Sequence, residues 1–164
     1  MNVLPVVFSL LFMLSSCNDA DDSIATKNET ELESNESAKA SIVSVTSTGT
    51  AGAYVFSVGI ASPDTGCDQY ANWWEVISED GSTLIYRRIL GHSHVNEQPF
   101  VRSGGTVTID ASQMVIIRAH MNTSGYGINV FRGSVSTGFK EDTLAENFAD
   151  NLSMQQPLPT NCAF

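Results

Sequence analysis

Apolar side chains in the body of this chain recur with a period of two, and turn residues break the pattern every eight to twelve positions. Ser41 to Thr48 forms the first predicted strand. In the second, Tyr54, Phe56, Val58 and Ile60 alternate with small residues and define one buried face. A third strand carries Trp73 and Trp74 and runs to Ser78. The chain then turns through Glu79-Asp80-Gly81-Ser82 and returns over Thr83 to Leu90, a hairpin marked by its Asp-Gly step. Thr106 to Ile109 is a short strand. Over Met114 to Met121, Val115, Ile117, Ala119 and Met121 alternate with Met114, Ile116, Arg118 and His120, and Ile128 to Thr137 completes a set of seven. After it, Thr143 and Glu146 have capping-box spacing, and Leu144, Phe148 and Leu152 recur every four residues beside Ala145 and Ala149. This spacing predicts a short amphipathic helix packed as a cap and stopped by Pro157 and Pro159.

Seven strands with an early tryptophan in the third resemble an immunoglobulin-like or fibronectin type III sandwich. The third strand, Trp73 to Ser78, and the penultimate one, Val115 to Met121, carry most of the likeness. No family motif covers the chain, and the core cysteine pair of antibody domains is absent. The resemblance therefore implies an architecture and no activity: an all-β, seven-stranded antiparallel sandwich with a short C-terminal helix. In that topology the fourth and sixth strands flank the third. Their ends emerge at one pole, together with the loop that holds Cys67 and Asp68.

The N-terminus reads differently. Val3 to Leu14 is uncharged and mainly apolar, ends in the small residues Ser15 and Ser16, and is too short for the roughly 20 residues of a spanning helix. It predicts a signal peptide over residues 1–16, although no Lys or Arg precedes the apolar run. Leu14-Ser15-Ser16-Cys17 resembles the lipobox of bacterial lipoproteins, which implies cleavage before Cys17, lipid on its thiol and a membrane as partner. Asn18-Asp19-Ala20-Asp21-Asp22 resembles the surface-export signal of Bacteroidetes lipoproteins, which implies the outer membrane of the cell envelope and an outward-facing domain. Residues 18–40 hold seven acids, Lys27, Lys39 and almost no large apolar side chains. Residues 17–40 thus read as the lipidated cysteine with an acidic tether, disordered and roughly 25 to 30 Å from end to end. The sandwich follows over 41–138 and the helix and tail over 139–164. A net charge of −10, from 18 acids against 8 bases, argues against nucleic acid.

With Cys17 lipidated, Cys67 and Cys162 remain as an even pair in an oxidising compartment and are expected to be bridged. A free Cys67 thiolate ligand is the competing reading. The three histidines occur as His92-Ser93-His94 and His120. If the fourth strand continues through them, His92 and His94 share one face, and His120 on a flanking strand supplies a third nitrogen, an arrangement suited to Zn(II) or Cu(II). His92-Ser93-His94, Glu97 and Gly104 also resemble a first cupin motif, with a shortened His94–Glu97 spacing and no second motif.

The alternative is an ordered loop in which His94 hydrogen-bonds Glu97, or in which Phe100 plugs the sandwich edge and Arg102 pairs with Glu97, with His120 exposed on its strand. The long connection from His92 to Gly105 reads as a binding loop. Asp64, Asp68, Glu97, Arg102 and Tyr126 are the expected ligand-binding rim of a surface module that recognises a ligand or protein. No Ser elbow or phosphate-cradling glycine loop argues for an enzyme.

Overall fold

The strong period-two segments all become strands. A computed structural model describes residues 38–163; the signal segment, Cys17 and the tether through residue 37 lie outside the described residues. The strands are β1 (Ser41–Thr50), β2 (Ala53–Ala61), β3 (Ala71–Ser78), β4 (Leu84–Ile89), β5 (Phe100–Val107), β6 (Val115–Met121), β7 (Gly125–Tyr126), β8 (Asn129–Ser134) and β9 (Gly138–Thr143). They pair antiparallel throughout. One sheet has the order β1-β2-β5. The other has the order β4-β3-β6-β8-β9, with β7 paired to β6.

The fold is all-β with two antiparallel sheets, and the described strands number nine where the periodicity predicts seven. The expected last strand forms over Asn129–Ser134. A two-residue strand precedes it, and a turn at Gly138, whose φ is 80°, starts an additional strand that carries Lys140, Glu141 and Asp142. Charged, exposed β9 has no apolar alternation by which to be read. The fifth strand begins at Phe100, six residues before its expected start, because Val101, Ser103 and Gly105 face out and mute its pattern.

Between the sheets, Phe56, Val58 and Ile60 of β2 meet Trp74, Val76, Ile117, Ala119 and Met121 in one core. All of these are at most 1% exposed. The 79–82 turn forms as expected: Gly81 takes φ 71°, and Asp80 accepts hydrogen bonds from the Ser78 and Ser82 hydroxyls and the Ser82 amide. Strands β4 and β6 do flank β3.

The expected amphipathic helix does not form. Thr143 ends β9 instead of capping a helix, Asn147 and Ala149 take positive φ, and only a 3₁₀ turn follows at Asp150–Met154. The cause lies underneath. The carbonyls of Phe148 and Ala149 accept from Arg118 and that of Leu152 from Arg87, which fastens this backbone to the sheet and leaves only i→i+3 bonds to Ala149 O and Leu152 O in the 3₁₀ turn. The apolar spacing is still used: Leu144 and Leu152 cover Ile77, Ile116 and Val130 in a second small core on the outer face of the larger sheet. The tail from Leu144 onward is thus a strap over that face, and Cys162 at its end is disulfide-bonded to Cys67.

Candidate functional site

Two clusters of polar side chains flank the same pole, one on each side of the larger sheet. The first is built on Asp64. Its Oδ1 accepts from the Ala71 amide at 2.9 Å and the Ser62 hydroxyl at 2.7 Å, and its Oδ2 accepts from the His94 amide at 2.8 Å and the Ser93 hydroxyl at 3.3 Å. Asp64 is therefore a buried organiser of the loop pole and not the rim residue expected from the sequence. Those bonds seat His94. Its ring lies 3.7 Å from that of Phe100 and nearly parallel to it, and the exposed ring of His92 lies 4.5 Å away on a tilt.

His94 and Glu97 are joined through the backbone, the Glu97 amide donating to the His94 carbonyl at 3.1 Å, and not ring to carboxylate. Glu97 is held bidentately by Arg102, at 3.1 and 2.7 Å, while Phe100 closes the sandwich edge at 1% exposure. This is the second of the loop arrangements expected from the sequence. The Arg102 guanidinium lies over the Phe100 ring, and its hydrogen bond holds the Glu97 carboxyl below its ordinary range. Asp68 stands exposed in the turn beside Cys67, where its carbonyl and that of Cys67 accept from the Asn122 amide.

His94 is electrically unusual. Its side chain is 1% exposed, neither ring nitrogen has a hydrogen-bond partner, and Nδ1 lies 3.9 Å from Asp64 Oδ2, beyond bonding distance. Burial, then the neighbouring Arg102 and His92, pushes its pKa below the ordinary histidine value, so the ring is neutral near pH 7. Around it Gly66, His92, Ser93, Val95, Asn96, Glu97 and Ala163 line an open cavity of about 390 Å³. A larger groove of about 560 Å³ lies elsewhere, between β1 and the β8–β9 edge, and holds none of these groups.

The second cluster lies beneath the strap. Trp73, Glu75, Arg118 and His120 sit on the outer face of β3 and β6, opposite Trp74 and Ala119. Glu75 bridges Arg87 on β4 and Arg118 on β6, and all three are at most 5% exposed. The guanidinium of Arg87 stacks over Trp73 and that of Arg118 over Tyr126. His120 is stacked on Trp73 at 3.7 Å, with Nδ1 bonded to the Asn72 amide oxygen at 2.8 Å. Burial, together with Arg87 and Arg118, drives its pKa down to about 3. Tyr126 accepts from Arg87 at its hydroxyl, and burial raises its pKa to about 12.

The structure therefore brings His92 and His94 together but not His120, which lies across the sheet, partly buried and not exposed. No group of three or more His, Cys, Asp or Glu among the described residues is placed to hold a metal ion. Tyr126 belongs to the strap-covered cluster and not to the pole's rim. Glu75, Arg87, Gly66, Asn96 and Ala163 belong to these two clusters without being among the residues expected from the sequence. A signal for the first existed: a carboxylate inside Trp73-Trp74-Glu75-Val76-Ile77 marks a charge that must be paired where it is buried.

No family model matches the chain. It is similar to a protein of Halomicrobium mukohataei that carries a lipoprotein name, with 34% identity over 110 residues, which is 66% of this chain and 54% of that relative. The chain spans about half the length of the relative it matches. Among solved structures it is similar to a superoxide reductase (neelaredoxin) from Ignicoccus hospitalis, at 13% identity and a TM-score of 0.34 over 70% of this chain and 86% of the other, a likeness too distant to bear on fold or chemistry.

Proposed function

We propose that this chain is a lipid-anchored extracytoplasmic lipoprotein whose β-sandwich is a binding module working through the His92–Glu97 pole. The anchor rests on Leu14-Ser15-Ser16-Cys17 and on the relative's lipoprotein name. The strand orders β1-β2-β5 and β4-β3-β6-β8 support a fibronectin type III-like reading of the domain, with β7 and β9 added. One observation carries the binding role: His94, buried with two unpartnered ring nitrogens, borders an open cavity. Unpaired buried polar atoms are rare in native proteins and cluster at functional places. The groups open to the cavity beside the buried ring, namely the His92 ring, Ser93 and Asn96, both donate and accept hydrogen bonds, which suits a ligand bearing hydroxyl or amide groups.

The chain also enters the domain near this pole, since Lys39, Ala61, Ser62, Pro63, Gln98 and Pro99 line one depression there. An anchored domain would present its pocket within a tether's length of the membrane. The experiment is a screen of envelope glycans and peptides against the disulfide-intact domain, read by ¹H–¹⁵N shifts of the His92 and His94 rings. Binding that moves these two and is lost in His94→Phe upholds the reading. Binding that leaves them still, or no binding across the screen, sinks it. For the anchor, Cys17→Ser should move the protein from the membrane fraction to the soluble one.

A further inference from the structure

We infer that the Cys67–Cys162 disulfide is a redox latch on the pocket, so that a dithiol reductant removes one wall of the site without unfolding the sandwich. The inference rests on the pocket reading above and concerns its control. Two of the pocket's lining residues, Gly66 and Ala163, are the immediate neighbours of the two half-cystines. The bond thus joins the two chain segments that bring Gly66 and Ala163 to the cavity, and both cysteines are only partly buried, within reach of an attacking thiolate.

The two sides are held very differently. Cys67 sits in a turn fixed by bonds of its own: the Thr65 amide donates to Gln69 O and the Gln69 amide to Gly66 O, Gln69 Nε2 donates to Pro63 O, and Asn122 donates to the carbonyls of Cys67 and Asp68. On the other side, the strap is clamped up to Pro157 by Arg87, which donates to the carbonyls of Leu152, Gln155 and Pro157, and by Arg118, which donates to those of Phe148 and Ala149. Beyond Pro157 the backbone bond that ties the tail to the body is the Ala163 amide to Gly91 O.

Among the described residues, cleaving the disulfide leaves that backbone hydrogen bond and the packing of half-buried Leu158 and Pro159 to hold residues 158–163. Gly91 precedes His92, so losing the tail frees the base of the histidine loop as well as the Ala163 wall. The chemistry balances simply. One dithiol passes two electrons and two protons to the Sγ atoms of Cys67 and Cys162, giving two thiols, and closes to its own cyclic disulfide.

The test compares the full domain with and without dithiothreitol, with the two released thiols verified by a mass gain of two hydrogens. Reduction should raise hydrogen exchange at the Ala163 amide by on the order of tenfold or more. It should shift the His92 and His94 ring signals and leave the amides of Leu152 and Gln155 and the ring of His120 unchanged. Cys67→Ser with Cys162→Ser should reproduce this without reductant. Unchanged Ala163 exchange and His92 signals in the reduced protein would overturn the latch. So would a loss of protection that spreads to Leu152 and His120, which would make the disulfide a staple for the whole strap. Because no ligand is used, failure of the binding screen and failure of the latch are separate results.

Discussion

Glu75 meets Arg118 across the β3–β6 pair with 2.9 Å between Oε1 and Nε, and both side chains are at most 1% exposed. The other carboxylate oxygen takes Arg87 at 2.6 Å, so a single carboxylate holds two guanidiniums out of water. A buried ion network adds little over an apolar replacement, yet removing one partner strands the others. Glu75→Ala should therefore cost about 3 to 5 kcal/mol, measured as a lower urea midpoint with unchanged slope. Glu75→Gln, which still accepts hydrogen bonds, should cost less. Equal losses for the two variants would mean that the negative charge carries the whole effect and that shape and a remaining acceptor add nothing at this position.

His120 makes stability depend on acid. Its folded pKa of about 3 lies below the ordinary 6.5, so on unfolding it gains a proton at any pH between the two values. The stability is fully present above pH 6.5 and is lost as pH falls toward 3, with a limiting size on the order of 5 kcal/mol. His120→Gln retains a side-chain amide for Asn72 and cannot titrate. Denaturation curves at pH 7 and pH 4 should show a smaller acid loss in this variant than in the wild type. Parallel losses would place the acid sensitivity elsewhere.

What could be read from the residues follows physical periodicity. Tyr54, Phe56, Val58 and Ile60 announce their face because the side chains between them are small or only half-buried, whereas in β6 both faces are buried and the core face shows only because Arg118 and His120 mark the other. The strap was illegible for a related reason. Leu144, Phe148 and Leu152 do pack, but the carbonyls between them are drawn to Arg87 and Arg118, which are distant in sequence and carry no local signal. Arg118 and His120 were correctly separated from the core face, but nothing in their own segment says that a strap covers them. At the pole, Phe100 and the Glu97–Arg102 pair were foreseeable from spacing. The role of Asp64 was not, because its bond to the His94 amide spans 30 residues.

Phe100 is the floor on which His94 lies. Phe100→Ala should cost about 3 to 5 kcal/mol as a large-to-small change in the core. It should also let water reach the imidazole. Burial is the leading cause of the low His94 pKa, so the variant should titrate His94 closer to the ordinary value in an NMR pH series. A pKa that stays low in a folded Phe100→Ala protein would assign the shift to Arg102 and His92. Phe100→Leu, which keeps most of the volume, guards against a failure to fold.

Asp64 supports the pole through acceptors alone, so its two simplest replacements separate shape from charge. Asp64→Ala removes the partners of two backbone amides, Ala71 and His94, and each orphaned buried donor costs about 1 to 3 kcal/mol. Asp64→Asn keeps the size but offers one acceptor oxygen where two are used. Whichever way the amide is turned, its NH₂ group faces either the Ala71 amide or the His94 amide, donor against donor. Asn should therefore fall nearer to Ala than to the wild type in melting temperature, and the His94 amide should exchange faster in both. An Asn variant as stable as the wild type, with the His94 amide still protected, would show that the loop is held by packing against Phe100 and not by the carboxylate.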